Sequence, residues 1–227
     1  MRFFNGWSPL LRSEILKPEG NWLERINSGN QDIVLPICGN LSNAISRYRQ
    51  LQEVIERSLK ICLMARRYPW HGTPITKTDH FHTVWFCFSG YCYLFEERAK
   101  RFYDDWNKAR GYFDMKPVSQ GQHIKKICSE FKPYLQHRGE FTHEYNKTHY
   151  SFATFELIEQ LNLHTGEYAH RLNDSYLESK ADVLWNIANG TLRMCSEFSA
   201  LLGEPAIQIP AMAKALDTHI NRVLMKG

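Results

Sequence analysis

Residues 79–109 read DHFHTVWFCFSGYCYLFEERAKRFYDDWNKA, and this stretch decides the fold class. Its apolar and aromatic residues recur every three or four positions, which is the spacing of one face of an α-helix. Asp79 is suited to cap the start of that helix, because its carboxylate can accept a hydrogen bond from the free amides of the first turn. The predicted buried stripe consists of Phe81, Val84, Trp85, Phe88, Tyr91, Cys92, Phe95, Ala99, Phe102, Tyr103 and Trp106.

The same spacing recurs on both sides of this helix and predicts an all-α fold. Residues 40–68 carry an apolar stripe made of Leu41, Ala44, Ile45, Tyr48, Leu51, Ile55, Leu59, Cys62 and Leu63. Further helices are predicted over residues 119–136, 152–163, 174–202 and 211–224, with Gly203, Pro205 and Pro210 separating the last two. Residues 1–39 contain three prolines and four glycines and predict an irregular N-terminal arm. With no strand pattern, repeat or linker, we expect one helical domain over residues 1–227.

Composition excludes several classes of protein. A hydrophobic fraction of 43% and a charged fraction of 23% are typical of a globular chain, and a net charge of +4 allows a polyanionic partner without requiring one. The six cysteines contain no Cys-x-x-Cys pair, which predicts reduced core thiols in a cytoplasmic protein and no zinc site. The longest apolar run, residues 84–95, is too short to cross a bilayer. We therefore expect no membrane association, no metal and no cofactor.

One short motif carries the functional hypothesis. Residues 137–145 read His-Arg-Gly-Glu-Phe-Thr-His-Glu-Tyr, which places Arg138 five residues before His143 and Tyr145 two residues after it. The planar guanidinium of an arginine fits a phosphate, and a histidine exchanges a proton near neutral pH. At a helix start, or across a turn, both side chains could face one point. Together they supply the minimum for metal-independent RNA cleavage, in which imidazole moves the proton and guanidinium stabilises charge on phosphorus.

The motif Arg138-x4-His143-x-Tyr145 resembles the HEPN superfamily, whose signature is an arginine followed after four to six residues by a histidine in a bundle of long helices. It looks most like the HEPN toxins that are paired with small nucleotidyltransferase antitoxins. The resemblance covers residues 40–165 in architecture, with 166–227 as additional helices, but only 138–145 in sequence. Gly139 stands where the family usually has a polar residue, and Glu144 adds a negative charge beside the histidine.

The resemblance implies a role for each matched residue. Arg138 and His143 would be catalytic, in a cleft shared by two copies of a homodimer, and Tyr145 would be the residue that the antitoxin modifies with adenylate. Glu140 and His149 are secondary candidates for the same cleft. Lys125, Lys126, Lys132 and His137 precede the motif and are candidates for RNA binding.

Two other interpretations stay open from the sequence. The chain could be a HEPN-like binding or assembly module without nuclease activity, or a helical protein in which the motif is accidental. Arg and His five residues apart occur easily by chance, and Arg66 with His71 is a second instance, interrupted by Pro69 and followed by Thr73 where the tyrosine should be.

Overall fold

The chain is all-α, as predicted. The computed structural model describes residues 31–111, 117, 119–143 and 150–224, and the side chains that it describes lie within residues 39–135 and 152–201. The described residues form helices α1 (Gln31–Arg66), α2 (Lys77–Gly111), α3 (Gln120–His143), α4 (Tyr150–Thr165) and α5 (Ala169–Leu224), with no strand among them. None of these helices is long and apolar enough to cross a membrane.

The predicted stripe of α2 is buried as expected. Every member of it is buried except Tyr91, which is half-buried. The helix begins at Lys77, two residues earlier than the sequence predicts, because Thr76 and not Asp79 caps it. The Asp79 amide donates to the Thr76 hydroxyl at 3.0 Å, and the Thr76 amide donates to Asp79 Oδ2 at 2.9 Å. This reciprocal pair is a capping box, in which Asp79 is the third helical residue.

The α1 stripe is buried as predicted at Ala44, Tyr48, Leu51 and Ile55 but departs from the prediction toward the end of the helix. Leu59 and Leu63, predicted inside, are 51% and 62% exposed, whereas Ser58 is fully buried. Burial does not leave the Ser58 hydroxyl without a hydrogen bond, because it lies 2.6 Å from the Thr191 hydroxyl. The Thr191 hydroxyl in turn donates to the Ile187 carbonyl at 2.8 Å. When only the spacing of apolar residues is used, a serine is assigned to the exposed face of a helix. A buried pair of hydroxyl groups therefore cannot be predicted in this way.

Several helix boundaries differ from the prediction, and at Pro36, Pro205 and Pro210 the chain is helical where the sequence predicts an irregular arm or a helix end. Helix α1 begins at Gln31 and includes Pro36, so residues 31–39 are helical and not part of an irregular arm. Helix α3 contains Pro133, as the predicted helix does, but it continues to His143 instead of ending near residue 136. Helix α5 runs without a break to Leu224 through Pro205 and Pro210. A proline removes one backbone hydrogen bond from a helix and often bends the helix, but the helix can continue beyond the proline. Residues 1–30 of the predicted arm lie outside the described residues.

The chain divides into two compact units. One consists of residues 47–101 and 119–198 and holds the predicted site, and the other consists of residues 1–46, 102–118 and 199–227. In the second unit, the rings of Phe102 and Trp106 are stacked with centroids 6.5 Å apart, and both side chains are buried. Whether the chain is a single domain, as the sequence predicts, stays a prediction.

In the first unit, helix directions follow from side-chain contacts. Tyr48 stacks on Phe198 and Ser58 contacts Thr191, so α1 and α5 are antiparallel. Aromatic pairs join α2 to α3 in the same antiparallel sense, with ring centroids 5.3 Å apart for Phe88–Tyr134 and 5.5 Å apart for Phe95–Phe131. A second aromatic cluster joins α2 to α4 and α5, and it consists of Phe81, Phe152, Phe155 and Tyr176. Helix α4 then turns into α5 at Gly166, which has a φ of 68°.

Candidate functional site

The predicted catalytic positions lie in the last two turns of α3. The backbone at Arg138 is helical, and His143 is the final residue of the helix. Their side chains, and those of His137 and Glu140, lie outside the described set, as do Tyr145 and His149 altogether. The structure therefore places the two catalytic positions on one helix, and their roles stay predictions.

Because α3 is continuous at the motif, positions 138 and 143 lie on different sides of the helix. The sequence suggests a helix start or a turn, where residues five apart can face one point. In a regular α-helix of 3.6 residues per turn, positions five apart are separated by about 140° around the axis. Within one copy of α3, positions 138 and 143 therefore do not share a helix face.

The end of α3 that carries the motif lies at the same end of its unit as the connection between α1 and α2. Helix α3 is antiparallel to α5, because Lys126 contacts Glu197 and Glu130 contacts Arg193. Helix α1 is antiparallel to α5 as well, so α1 and α3 point in the same direction. The C-terminal ends of α1 and α3 are thus at one end of the unit.

All three predicted RNA-binding lysines are exposed, and two of them share one face of α3. Lys125 and Lys132 are both exposed and are seven residues apart, which is two turns of an α-helix. Lys126 differs, because its ammonium group donates to Glu197 Oε1 at 2.5 Å. This hydrogen bond raises the pKa of Lys126 above its ordinary value. Lys126 therefore serves the contact between α3 and α5.

Glu197 is the polar centre of that contact, and sequence reasoning missed it. Its side chain is 1% exposed and accepts hydrogen bonds from Lys126 and from His123 Nε2, the latter at 2.6 Å. One turn earlier on α5, Arg193 Nη1 donates to the Glu130 carbonyl at 3.1 Å. A signal was present in the sequence, because Glu197 falls inside the buried stripe of Met194, Phe198 and Leu201. A glutamate in such a stripe requires cationic or hydrogen-bonding partners.

The second Arg-x4-His pair, Arg66 and His71, is fully described. It lies at the connection between α1 and α2, which we call the α1–α2 corner and define as residues 63–76. Arg66, Arg67 and His71 are exposed, and Trp70 is 38% exposed. Leu63 and the two arginines line a surface pocket of about 380 Å³. Pro69 and Thr73 depart from the Arg-x4-His-x-Tyr pattern at this pair, yet its side chains are accessible.

Two hydrogen bonds link buried His80 to Trp70 and to Met64 and so fix the position of the corner. Trp70 Nε1 donates to His80 Nδ1 at 3.2 Å, and His80 Nε2 donates to the Met64 carbonyl at 3.2 Å. The tautomer is assigned by these partners, because an indole N–H only donates and a carbonyl only accepts. Burial lowers the pKa of His80 below 6.5, and the backbone carbonyls of Met64 and Arg67 oppose that shift. His80 is therefore neutral in the folded protein near pH 7.

The described residues contain no group of three or more histidine, cysteine, aspartate or glutamate side chains placed to hold a metal ion. The five described cysteines, Cys62, Cys87, Cys92, Cys128 and Cys195, are all free thiols. Burial raises the pKa of Cys92, and burial followed by a hydrogen bond to Glu96 raises that of Cys128. A thiol with a raised pKa is a poor nucleophile, so neither cysteine adds a catalytic candidate.

Comparisons of the chain with protein-family models, with curated proteins and with solved structures find no match.

Proposed function

We propose that this protein is a HEPN-like, metal-independent endoribonuclease of the toxin or defence type. The observation that carries the proposal is the motif Arg138-x4-His143-x-Tyr145 at the end of a long helix in an all-helical chain. An arginine and a histidine together supply the minimum for phosphodiester cleavage without a metal, which is proton transfer and stabilisation of the charge on phosphorus. The alternative is a HEPN-like module that binds RNA or protein without cutting.

Each residue of the proposed site has a chemical task. His143 takes the proton from the ribose 2′-hydroxyl or returns one to the leaving 5′-oxygen, and Arg138 stabilises the negative charge that builds on phosphorus. Lys125 and Lys132 would attract the RNA backbone along the exposed face of α3. Glu140 and His137 would assist in the same cleft. Lys126 would contribute less than its neighbours, because Glu197 already neutralises it.

The geometry of α3 bears on the oligomeric state. Because positions 138 and 143 are about 140° apart on one helix, a cleft built from both groups is simpler to form from two chains. We propose a homodimer in which Arg138 of one protomer acts with His143 of its partner. Tyr145 would then lie close to the shared cleft, where an adenylate group attached by a nucleotidyltransferase partner would block the RNA.

RNA cleavage by the purified protein in EDTA tests the proposal. We expect the wild type to cut and Arg138→Ala or His143→Ala to lower the rate at least a hundredfold, because each removes a group that acts in the transition state. Arg171→Ala and His164→Ala are matched controls, since both residues are exposed and lie outside the motif. Helical circular dichroism must stay unchanged in all four variants. The absence of cutting over a panel of RNAs would favour the non-catalytic module.

Mixing the two inactive variants tests the shared cleft. A heterodimer of Arg138→Ala and His143→Ala contains one site with both groups intact if each cleft takes Arg138 and His143 from different chains. Activity should then return to as much as about a quarter of the wild-type value, because half of randomly mixed dimers are heterodimers with one working site of two. If the mixture stays inactive, each cleft uses both groups of one chain.

A further inference from the structure

The α1–α2 corner combines exposed cationic, aromatic and apolar groups in a short stretch of chain. Arg66 and Arg67 are exposed at the end of α1, next to Leu63, which is 62% exposed. Trp70 and His71 follow within four residues and are also exposed. Adjacent arginines beside accessible aromatic rings are the combination that binds single-stranded nucleic acid, where phosphates contact the cations and bases stack on the rings.

The corner is ordered, so these groups are presented in a defined arrangement. The Trp70 carbonyl accepts from the Thr73 amide at 3.1 Å and from the Thr73 hydroxyl at 2.7 Å. The tight turn uses Gly72, whose φ of 77° suits glycine. The Tyr68 hydroxyl donates to the Ile75 carbonyl, and the Trp70 indole is tied to buried His80. A ring that is fixed before binding loses little conformational freedom when a base stacks on it.

The two arginines are available to an anion. Neither guanidinium lies within ion-pair distance of a carboxylate among the residues that the structure describes. The nearest acidic side chains in sequence on either side have other partners, since Glu56 accepts a hydrogen bond from Gln52 and Asp79 accepts hydrogen bonds from Thr76. An arginine in the last turn of a helix also stabilises the free carbonyls there. Stabilising the end of a helix does not require a pocket. Arg66 and Arg67, however, together line a surface pocket of about 380 Å³, which gives an anion a place to bind.

From these observations we infer that the α1–α2 corner binds single-stranded nucleic acid, with Arg66 and Arg67 on the phosphates and Trp70 stacked on an unpaired base. The corner lies at the same end of the unit as the C-terminal end of α3, so a strand held there is at the end of the unit that carries the proposed cleavage site. Only the supply of RNA to the cleavage site rests on the proposed function; the binding of single-stranded nucleic acid at the α1–α2 corner does not. Its residues and its test are separate from Arg138 and His143.

The test is binding of a fluorescent 2′-O-methyl oligouridine of about 12 nucleotides, a length in the range of single-strand sites, to the full chain at several salt concentrations. The 2′-O-methyl groups block cleavage through the 2′-hydroxyl, so loss of nuclease activity cannot affect the result. We expect Arg66→Ala/Arg67→Ala to reduce the slope of log K against log salt by about 1.4, since each phosphate contact on a single strand contributes about 0.7. The control is Arg49→Ala/Arg101→Ala, which removes two exposed arginines elsewhere in the same unit and should leave the slope unchanged.

Two substitutions of Trp70 separate stacking from the structure of the corner. Trp70→Ala should weaken binding about five- to hundredfold, the range of one base–aromatic stack. Trp70→Phe keeps a ring but loses the hydrogen bond to His80, and it should stay within about fivefold of the wild type. If Trp70→Phe is as weak as Trp70→Ala, the stacking role is wrong.

Three further outcomes would overturn the inference. They are failure of the wild type to bind the oligouridine, equal salt slopes for the two double variants, and competition by inorganic polyphosphate as strong as by unlabelled oligouridine. The last would indicate an anion site that does not recognise bases. Absence of RNA cleavage together with the expected slopes would contradict the proposed function and leave this inference standing.

Discussion

Gly190 shows how closely α5 approaches α2 and α3. A Cβ atom added at this position would overlap the ring of Phe88 and lie 3.3 Å from Tyr134 Cζ. Both rings are buried, so they cannot move into solvent to make room. The helix crossing at this point therefore depends on the absence of a side chain.

We predict that Gly190→Ala lowers the free energy of unfolding by about 1–3 kcal/mol, the usual cost of overpacking a core. The better helix propensity of alanine offsets up to about 1 kcal/mol of this cost. Gly90→Ala is the control, because a Cβ at Gly90 in α2 would meet nothing within 4 Å. That variant should be neutral or more stable in urea unfolding, and a Gly190→Ala protein as stable as Gly90→Ala would contradict the packing.

Sequence reasoning placed most core residues correctly and failed where polar groups are buried. The aromatic stripe of α2 could be predicted because large apolar side chains at helical spacing leave few other arrangements. Ser58 and Thr191 could not, because each is buried against a partner more than seventy residues away in the chain. The burial of Glu197 is signalled by its place in an apolar stripe, but its partners His123 and Lys126 could not be identified from the sequence. The exposure of Leu59 follows from the same cause, since Ser58 takes the inward position beside it.

Among the secondary-structure elements, the start of α2 carries a buried histidine, His80, that makes the stability of the α1–α2 corner depend on pH. His80 is buried, and its neutral ring accepts from Trp70 and donates to Met64. Burial holds its pKa below 6.5 in the folded protein. A histidine whose folded pKa is lowered contributes stability that is fully present above its unfolded pKa. That stability is lost as the pH falls through 6.5 toward the folded pKa, because only the unfolded chain takes up the proton.

We predict that His80→Gln reduces the loss of stability between pH 8 and pH 5. A glutamine amide can accept from Trp70 and donate to Met64, yet it does not titrate in this range. The measurement is urea unfolding of wild type and variant at both pH values. His82, whose pKa burial also lowers, remains in both proteins, so the difference between them reports on His80. Identical pH dependence in the two proteins would show that His80 is not held neutral.

The existence of the helices was predictable, and their ends were less so. Gly203, Pro205 and Pro210 predict a helix end, yet α5 continues through all three. The start of α2 was misplaced because Thr76 and Asp79 both suit a helix cap, and only the reciprocal hydrogen bonds decide between them. Local sequence identifies residues that can end a helix, whereas packing on neighbouring helices decides whether they do.

For the molecule as a whole, the sequence predicted the all-α class and a candidate function. The class follows from long periodic stretches, which carry a strong signal. The function depends on Arg138 and His143, two residues whose spacing also occurs in Arg66 and His71. A pair of residues specifies a chemistry only through the positions of both side chains relative to a substrate, and spacing along a chain does not contain that information. The endoribonuclease therefore stays a proposal.

Cleavage of two matched oligonucleotides in EDTA tests that proposal most directly. One is all RNA, and the other is identical except for a 2′-deoxy nucleotide at the site where the first is cut. If His143 activates the 2′-hydroxyl, the wild type will cut the first to a 2′,3′-cyclic phosphate and leave the second intact at that site. Failure to cut the RNA, dependence of cutting on added magnesium, or equal cutting of the deoxy-substituted strand would contradict the proposed function.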